Sequence, residues 1–314
     1  MTSHTPLPTE ATTPTEAARS TGAARSTGAS AQPSRPSSPI ESDPTDPDPD
    51  PIDPSPTDLG PTLSFVRDGA IGVLTLDRRA KRNALDDATI GRLGAFFAEP
   101  PAGIRAIVLT AAGDHFCAGL DLSEMTERDA VSGLLHSRRW HATMNAITES
   151  AIPVVAVLQG GVIGGGLELA SAAHLRVAED SAYFALPEGK RGLFVGGGAS
   201  VRVPRLIGLN RVQDMMLTGR SFDAVEAETI GLVNYRVPAG QGTEKALGLA
   251  HAIASNSEVT NYAITQALPR IVESGRDEGY MMEALMAAVA QSSTEAKALM
   301  RDFLDGTGPK VRKP

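Results

Sequence analysis

Two glutamates and the glycines around them are the residues of this sequence best suited to chemistry. The segment GGVIGGGLELA, residues 160–170, places three consecutive glycines before a stretch with helical spacing that contains Glu168. Glycines at the start of a helix leave backbone N–H groups free, and the helix dipole adds partial positive charge that suits a developing oxyanion. Glu188 follows 20 residues later, beside a proline. Two carboxylates in one pocket can act as acid and base.

The same residues allow simpler interpretations. A glycine run alone can bind phosphate or form a tight turn, Glu168 can serve as a helix cap, and Glu188 can be a solvated charge. The run is not a Walker loop, because no Gly-Lys-Ser or Gly-Lys-Thr follows it. It is also a poor dinucleotide fingerprint, because no acidic residue ends a following strand about 20 residues on.

From residue 63 onward short apolar runs alternate with helical patterns. The strands and helices that these patterns predict would position the two glutamates and the glycines. Residues 63–67 and 71–76 are joined by Asp68-Gly69, which predicts a β-hairpin. Further along the chain the patterns predict strands at 104–110, 153–158 and 175–178, and helices at 84–97, 131–148 and 167–173. This alternation predicts an α/β core with parallel strand pairing. Residues 245–304 lack strand signals and are expected to form several helices.

Composition divides the chain into three parts. The first 60 residues contain 12 of the 22 prolines and nine acidic residues against three arginines. Such a segment cannot bury enough apolar area to offset chain entropy, so residues 1–60 are expected to be a disordered tail, either solubilising, docking or processed. We expect an α/β core over residues 61–242 and a helical C-terminal subdomain over residues 243–314.

Charge and cysteine content exclude several classes of protein. The net charge is −8 and the basic residues are not clustered, which argues against nucleic-acid binding. The single cysteine, Cys117, allows no intrachain disulfide and predicts a reducing compartment. No apolar run approaches the roughly 18 residues of a membrane span, and no secretory signal is evident, so a cytoplasmic protein is expected. The histidines show no metal-ligand spacing, so no metal is predicted.

Seven motifs occur together in one order along the chain. They are DRRAKRNAL at 77–85, FCAGLDL at 116–122, the glycine-rich Glu168 segment, ALPE at 185–188, PRLIG at 204–208, LTGR at 217–220 and AETIGLV at 227–233. From about residue 63 to residue 304 the chain resembles the crotonase (enoyl-CoA hydratase/isomerase) superfamily, and most closely its enoyl-CoA hydratases. The resemblance implies a spiral of repeated ββα units with a helical C-terminal subdomain. It also implies a homotrimer or a dimer of trimers.

The resemblance further implies a site for an acyl-CoA substrate, with coenzyme A as part of the substrate and no separate cofactor. The backbone amides of Ala118 and Gly165 would form an oxyanion hole for the thioester oxygen. Glu168 would activate water as a base, and Glu188 would deliver a proton to the α-carbon. The implied reaction is hydration of a trans-2-enoyl-CoA to a 3-hydroxyacyl-CoA, as in fatty acid metabolism. The residues expected to contact CoA are Lys81, Arg82, Ala84, Gly119, Leu120 and Asp121.

Some alternatives stay open at the level of sequence. Relatives that only isomerise double bonds often keep a single carboxylate at the position of Glu188, so two glutamates favour hydration. The segment GGGASVRV at 196–203 and the cations Lys190 and Arg191 depart from common hydratases, which leaves a specialised reaction on a branched, cyclic or aromatic acyl-CoA open. A non-catalytic acyl-CoA binding protein is a further alternative. Asp121 is expected either to cap a helix or to lie in the pocket.

Overall fold

The computed structural model describes residues 59–124 and 127–308. The predicted disordered tail falls almost entirely on residues 1–58, and the end of the predicted helical subdomain falls on residues 309–314. Both segments lie outside the described residues. Leu59 is buried, and Gly60 begins a 3₁₀ turn over Gly60–Thr62, so these last two positions of the predicted tail belong to the folded part.

Nine strands are present in the described part of the chain, and they form two sheets. In chain order they are β1 (Leu63–Asp68), β2 (Ile71–Leu76), β3 (Ala106–Ala111), β4 (Val154–Leu158), β5 (Gly161–Ile163), β6 (Leu175–Glu179), β7 (Tyr183–Ala185), β8 (Ser221–Asp223) and β9 (Tyr235–Val237). The large sheet has the order β1-β2-β3-β4-β6-β9, and only its β1–β2 hairpin is antiparallel. The small sheet has the order β5-β7-β8.

Helices surround the sheets and make up the C-terminal part of the described chain. They are α1 (Asp87–Ala98), α2 (Ala130–Thr148), α3 (Gly165–Ala172), α4 (Ala199–Ile207), α5 (Leu209–Thr218), α6 (Ala224–Thr229), α7 (Gly242–Ala254), α8 (Glu258–Tyr262), α9 (Leu268–Glu273), α10 (Arg276–Ser292) and α11 (Thr294–Leu304). A π-helical turn, Ala263–Ala267, links α8 to α9. Among the described residues no helix is both long and apolar enough to span a membrane.

A repeated ββα unit generates the architecture, as the resemblance implies. The units are β1-β2-α1, β4-β5-α3 and β6-β7-α4. In the second and third units the first strand joins the large sheet and the second strand joins the small sheet. The predicted hairpin and the three further predicted strands are confirmed within one or two residues. The four strands β5, β7, β8 and β9 were not predicted, because three residues are too few to show a strand period.

The large sheet is covered on both faces. All five residues of β4 are buried, which is expected of a parallel strand with layers on both sides. Val155 and Val157 pack with Ala246 and Ala250 of α7, whose small residues recur every four positions on one helix face. Ala156 and Leu158 point the other way, into the larger cluster that contains Met144 of α2 and residues of α1 and α3. The loops that follow the carboxyl ends of these strands therefore begin from a sheet that is packed on both faces.

Candidate active site

Two short backbone bridges bring three loops of the sequence to one place. Leu85 pairs with Leu120, and Cys117 pairs with Val162 of β5. Gly119 lies between the two bridged residues of its loop with φ +95°, a conformation that side-chain-bearing residues rarely adopt. A Cβ on Gly119 would lie 2.7 Å from the carbonyl oxygen of Ile163. Only glycine therefore allows this loop to approach the backbone that leads into α3.

The amide of Ala118, expected to bind an oxyanion, is already occupied. It donates a hydrogen bond to the carbonyl of Arg82 at 3.0 Å, so the prediction for Ala118 is wrong. Two residues further on, the Leu120 N–H has no acceptor among the described residues, and Leu120 lines a cavity. The reversal of the chain at Gly119 turns the Leu120 N–H, instead of the Ala118 N–H, towards the glycine-rich segment.

The Gly165 amide lies beside that of Leu120. Gly165 is the first residue of α3, where N–H groups have no intrahelical acceptor, and no other described residue accepts from it. A Cβ built on Gly165 would lie 3.3 Å from the Leu120 nitrogen and 2.9 Å from the ring of Trp140. Two free N–H groups and the positive end of α3 thus meet at one point of the cavity, which can stabilise a developing negative charge.

Glu168 is buried in the first turn of α3, yet its carboxylate does not cap its own helix. Its Oε1 atom accepts hydrogen bonds from the N–H groups of Gly197, at 2.7 Å, and Ala199, at 3.2 Å. These donors belong to the start of α4, so the carboxylate lies at the positive end of a second helix. Burial raises the pKa of Glu168 above its ordinary value, and the hydrogen bonds from Ala199 and Gly197 oppose that rise.

Glu188 approaches the same place from the loop after β7. It begins a 3₁₀ turn, Glu188–Arg191, and a Cβ on Gly164 would lie 2.6 Å from its Oε1 atom. Its Oε2 atom is buried and has no hydrogen-bond partner among the described residues. Burial raises the pKa of Glu188, the charge of Glu168 raises it further, and Arg191 opposes the rise. A half-buried carboxyl group with an unused oxygen is therefore held beside α3.

A cavity of about 410 Å³ unites these groups. Its lining includes Leu120, Gly165, Glu168 and Glu188, so the two predicted glutamates do share one site. Such a volume is within the range of small-molecule sites in proteins. Two free amides for a carbonyl oxygen and two carboxyl groups for proton transfer are the parts needed for acid–base chemistry next to a carbonyl.

Comparison with known proteins identifies the family to which this site belongs. The sequence profile of the enoyl-CoA hydratase/isomerase family matches residues 67–312. The chain belongs to this family. It is similar to the enoyl-CoA hydratase EchA19 of Mycobacterium tuberculosis, with 31% identity over 248 residues, which cover 77% of this chain and 93% of the relative.

Solved structures agree in fold. The crystal structure of a Rhodopseudomonas palustris protein described as an enoyl-CoA hydratase has a TM-score of 0.76. That protein is 52% identical, and the match covers 78% of this chain and 95% of that protein. An enoyl-CoA hydratase from Bacillus anthracis is 28% identical, with a TM-score of 0.75, over 80% of this chain and 99% of that protein. The predicted crotonase-like α/β fold is confirmed by these similarities and by the repeated ββα units.

In this crotonase a dense polar network holds the loop that carries the free Leu120 amide. Asn83 has φ +55° and is buried, and its side-chain amide donates to the carbonyls of Ala112 and His115. Arg78 pairs with Asp121 at 2.6 Å and with Asp86 at 3.4 Å. These contacts join the turn at residues 77–86 to both ends of the FCAGLDL loop. The sequence motif contains Asn83 and Arg78, but the contacts of Asn83 with residues 29 and 32 positions away and the contact of Arg78 with Asp121 were not predicted.

The residues expected to contact CoA lie in or beside this network. Gly119 and Leu120 line the cavity, whereas Lys81 and Arg82 are exposed on the turn next to it and Ala84 is buried. Asp121 is buried and does not line the cavity in the described part of the chain. It accepts from the Ser123 N–H, so it caps the turn Leu122–Glu124, and the Ser123 and Arg78 contacts lower its pKa.

Other residues near the site have structural explanations. The Cys117 thiol is fully buried, and burial raises its pKa to about 12, so it is not a reactive thiolate near neutral pH. Arg202, for which the sequence predicted no role, donates to the carbonyls of Glu168 and Gly197. It thereby ties α3 to the loop that holds the Glu168 carboxylate. Among the described residues no group of three His, Cys, Asp or Glu side chains is arranged to bind a metal.

Proposed function

We propose that this protein is an enoyl-CoA hydratase, which adds water to a trans-2-enoyl-CoA to give a 3-hydroxyacyl-CoA. The observation that carries the proposal is the convergence of two carboxyl groups and two free backbone amides on one cavity. Relatives named enoyl-CoA hydratase, at about 30% identity, support the same class of substrate. Coenzyme A is part of this substrate, and the reaction as proposed needs no separate cofactor.

The thioester carbonyl oxygen would accept hydrogen bonds from the Leu120 and Gly165 amides. When oxygen adds to the β-carbon, negative charge moves through the conjugated system to this carbonyl oxygen as an enolate. Preorganised donors stabilise that charge in the transition state, and removal of one such donor typically costs about 10²–10³-fold in rate. The Leu120 amide replaces that of Ala118 in our assignment, because Ala118 is bonded to Arg82.

The environments of the glutamates favour different roles. The Glu168 carboxylate receives two backbone hydrogen bonds, which stabilise its charged form, so it suits the base that takes a proton from water. Glu188 lacks a partner for Oε2 and experiences the charge of Glu168, so it suits the acid that donates a proton to the α-carbon. One proton enters Glu168 and one leaves Glu188 per turnover, and exchange with solvent restores both.

The direct test is to incubate the purified protein with crotonyl-CoA and longer trans-2-enoyl-CoAs in H₂¹⁸O. Hydration predicts loss of the 2-enoyl thioester absorbance and a product with one ¹⁸O on the β-carbon. Migration of the double bond without ¹⁸O would indicate an isomerase, which needs only one carboxyl group. Tight thioester binding without any product would indicate a non-catalytic acyl-CoA binding protein and would refute the proposal.

Three wider properties are proposed with this function: the oligomeric state, the residues that contact CoA and the cellular location. The C-terminal helices expose apolar side chains, among them Tyr280, Met281, Leu285, Met300 and Phe303, and apolar surface of this extent is typical of subunit interfaces. This supports a homotrimer or a dimer of trimers, which sedimentation analysis would distinguish from a monomer. We also propose that Lys81 and Arg82, exposed beside Gly119, contact the CoA portion, and that the enzyme works in the cytoplasm.

A further inference from the structure

One face of α2 forms a long wall of the catalytic cavity. Gly133, His136, Ser137 and Trp140 recur at helical spacing, and all four line the cavity. The Trp140 ring lies at the catalytic end, because a Cβ on Gly197 would be 2.7 Å from Glu168 Oε2 and 3.2 Å from that ring. Since an α-helix rises 1.5 Å per residue, Gly133 lies about 10 Å farther along the wall.

The polar residues of this wall offer little to a polar acyl group. The Ser137 hydroxyl donates to the carbonyl of Gly196 at 2.6 Å. Nε2 of His136 lies 2.7 Å from Oδ1 of Asp87, on α1. Both side chains therefore direct hydrogen-bonding atoms to protein partners. The remaining residues of the α2 wall are Gly133 and Trp140, and ring carbons of Trp140 face Gly165 and Gly197, so this wall offers the acyl group a mainly apolar surface.

The wall opens at Gly133. A Cβ built on Gly133 would meet no atom of the described residues within 4 Å, although the position lines the cavity. The cavity lining also includes Leu122 and Phe194, whose apolar side chains are half or more exposed. Apolar rims of this kind are usually covered by an apolar partner or ligand. The length of the wall and its open end exceed what a crotonyl group would fill.

We propose that Gly133 determines specificity: it leaves the far end of the α2 wall open for the tail of long, unsubstituted acyl groups. This inference rests on the proposed function, because the acyl chain is taken to begin at the catalytic glutamates. A long apolar chain would follow Trp140, pass His136 and Ser137, and leave the cavity over Gly133. A large side chain at position 133 would close this path and leave the thioester end unchanged.

The test replaces Gly133 by leucine and uses Gly91→Leu as the matched control. Gly91 lies on α1, is exposed, does not line the cavity and also has nothing within 4 Å of a built Cβ. Both changes put the same side chain on a helix and favour helix formation. For Gly133→Leu we expect kcat/KM on trans-2-dodecenoyl-CoA to fall about tenfold or more, as when a pocket rejects added methylene groups. Activity on crotonyl-CoA should stay within about twofold.

A binding measurement separates this inference from the proposed function. Dissociation constants for dodecanoyl-CoA and butyryl-CoA, which cannot be hydrated, are measured for the parent and both variants. Weaker binding of dodecanoyl-CoA alone to Gly133→Leu supports the inference, even if no enoyl-CoA is hydrated and the proposed function fails. An unchanged ratio of the two constants, or an equal change in Gly91→Leu, overturns it even if hydration is found.

Discussion

The cavity wall formed by residues 119–120, 164–168 and Glu188 and the turn at residues 77–86 behind it differ in whether their polar groups have hydrogen-bond partners. Both contain backbone in the left-handed region, at Gly119 and Gly164 in the wall and at Arg82 and Asn83 in the turn. In the turn the polar groups are bonded: the Asn83 side chain makes three hydrogen bonds, and Arg78 pairs with two carboxylates. In the wall two amides and one carboxyl oxygen have no partner among the described residues.

This difference suggests that the polar groups of the turn serve stability and those of the cavity wall serve function. Buried polar groups in proteins are nearly always hydrogen-bonded, so the few without partners need an explanation. The Leu120 and Gly165 amides and Glu188 Oε2 converge on the position that a thioester would occupy. The hydrogen bonds and ion pairs of the turn hold the loop that presents the Leu120 amide. The Leu120 and Gly165 amides can therefore stay without acceptors while the loop keeps its position. Substitutions in the wall should therefore mainly reduce rate, whereas substitutions in the turn should mainly reduce stability.

The largest effect is expected from Glu168→Gln and Glu188→Gln. Each change removes a group that moves a proton and keeps nearly the same shape, so kcat should fall about 10²–10⁴-fold. Binding of a saturated acyl-CoA should change little, because the amides and the walls remain. Steady-state kinetics and calorimetric titration measure the two quantities. Glu244→Gln, on the exposed start of α7, is the control, and near-normal turnover by either site variant would refute the assignment.

Gly165→Ala should cost about 10²-fold in kcat/KM, close to the loss of one oxyanion donor. The new methyl group would lie 2.9 Å from the Trp140 ring and 3.3 Å from the Leu120 nitrogen, where it displaces the carbonyl oxygen. Gly196→Ala is the matched control in the same cavity, since its methyl group would lie 3.5 Å from Ser137 Oγ, an ordinary contact. Equal rates for the two variants would contradict the proposed position of the oxyanion.

Arg78→Ala should lower the free energy of unfolding by about 3 kcal/mol, because it leaves the buried Asp121 without its main cation. Neighbouring Arg79 provides the control. It pairs with Asp77 at 2.8 Å, but both side chains are exposed, so Arg79→Ala should leave the urea denaturation midpoint nearly unchanged. Urea denaturation measures both values. A small effect for Arg78 would mean that the turn does not hold the loop.

The smallest effect concerns pH. The pKa of Glu188 is raised from 4.5 in the folded protein, so folding favours its protonated form. That contribution to stability is present below about pH 4.5 and is lost as pH rises through the raised pKa. At pH 8, Glu188→Gln should therefore raise Tm by about 2 °C, and the gain should shrink towards pH 5. A lower Tm at pH 8 would contradict the raised pKa.

The sequence allowed the main parts of the fold and site to be predicted where the signal is local. The hairpin has its Asp68-Gly69 turn, β4 is a continuous apolar run, and the glycines before Glu168 mark the start of α3. The resemblance to one family then placed Glu188 near Glu168, and the structure brings both to one cavity. The roles of these glutamates stay predictions that kinetics must test.

What could not be predicted depends on contacts between distant segments. The error at Ala118 arose because the direction of an amide follows from the bridge between Leu85 and Leu120 and from the positive φ of Gly119. Neither is visible in a local pattern of small residues. The α2 wall could not be placed for a similar reason, since the sequence allowed Trp140 to be either a core residue or part of a pocket wall until α3 is seen to pack against it.

The most direct test of the account is the carbonyl signal of a bound substrate. A trans-2-enoyl-CoA labelled with ¹³C at the thioester carbonyl is bound to Glu168→Gln, which should hold it without turnover. Hydrogen bonds from Leu120 and Gly165 would polarise the carbonyl, so its resonance should move downfield on binding, and the shift should largely disappear when Gly165→Ala is added. An unshifted resonance in Glu168→Gln, or a shift that survives Gly165→Ala, would contradict the account.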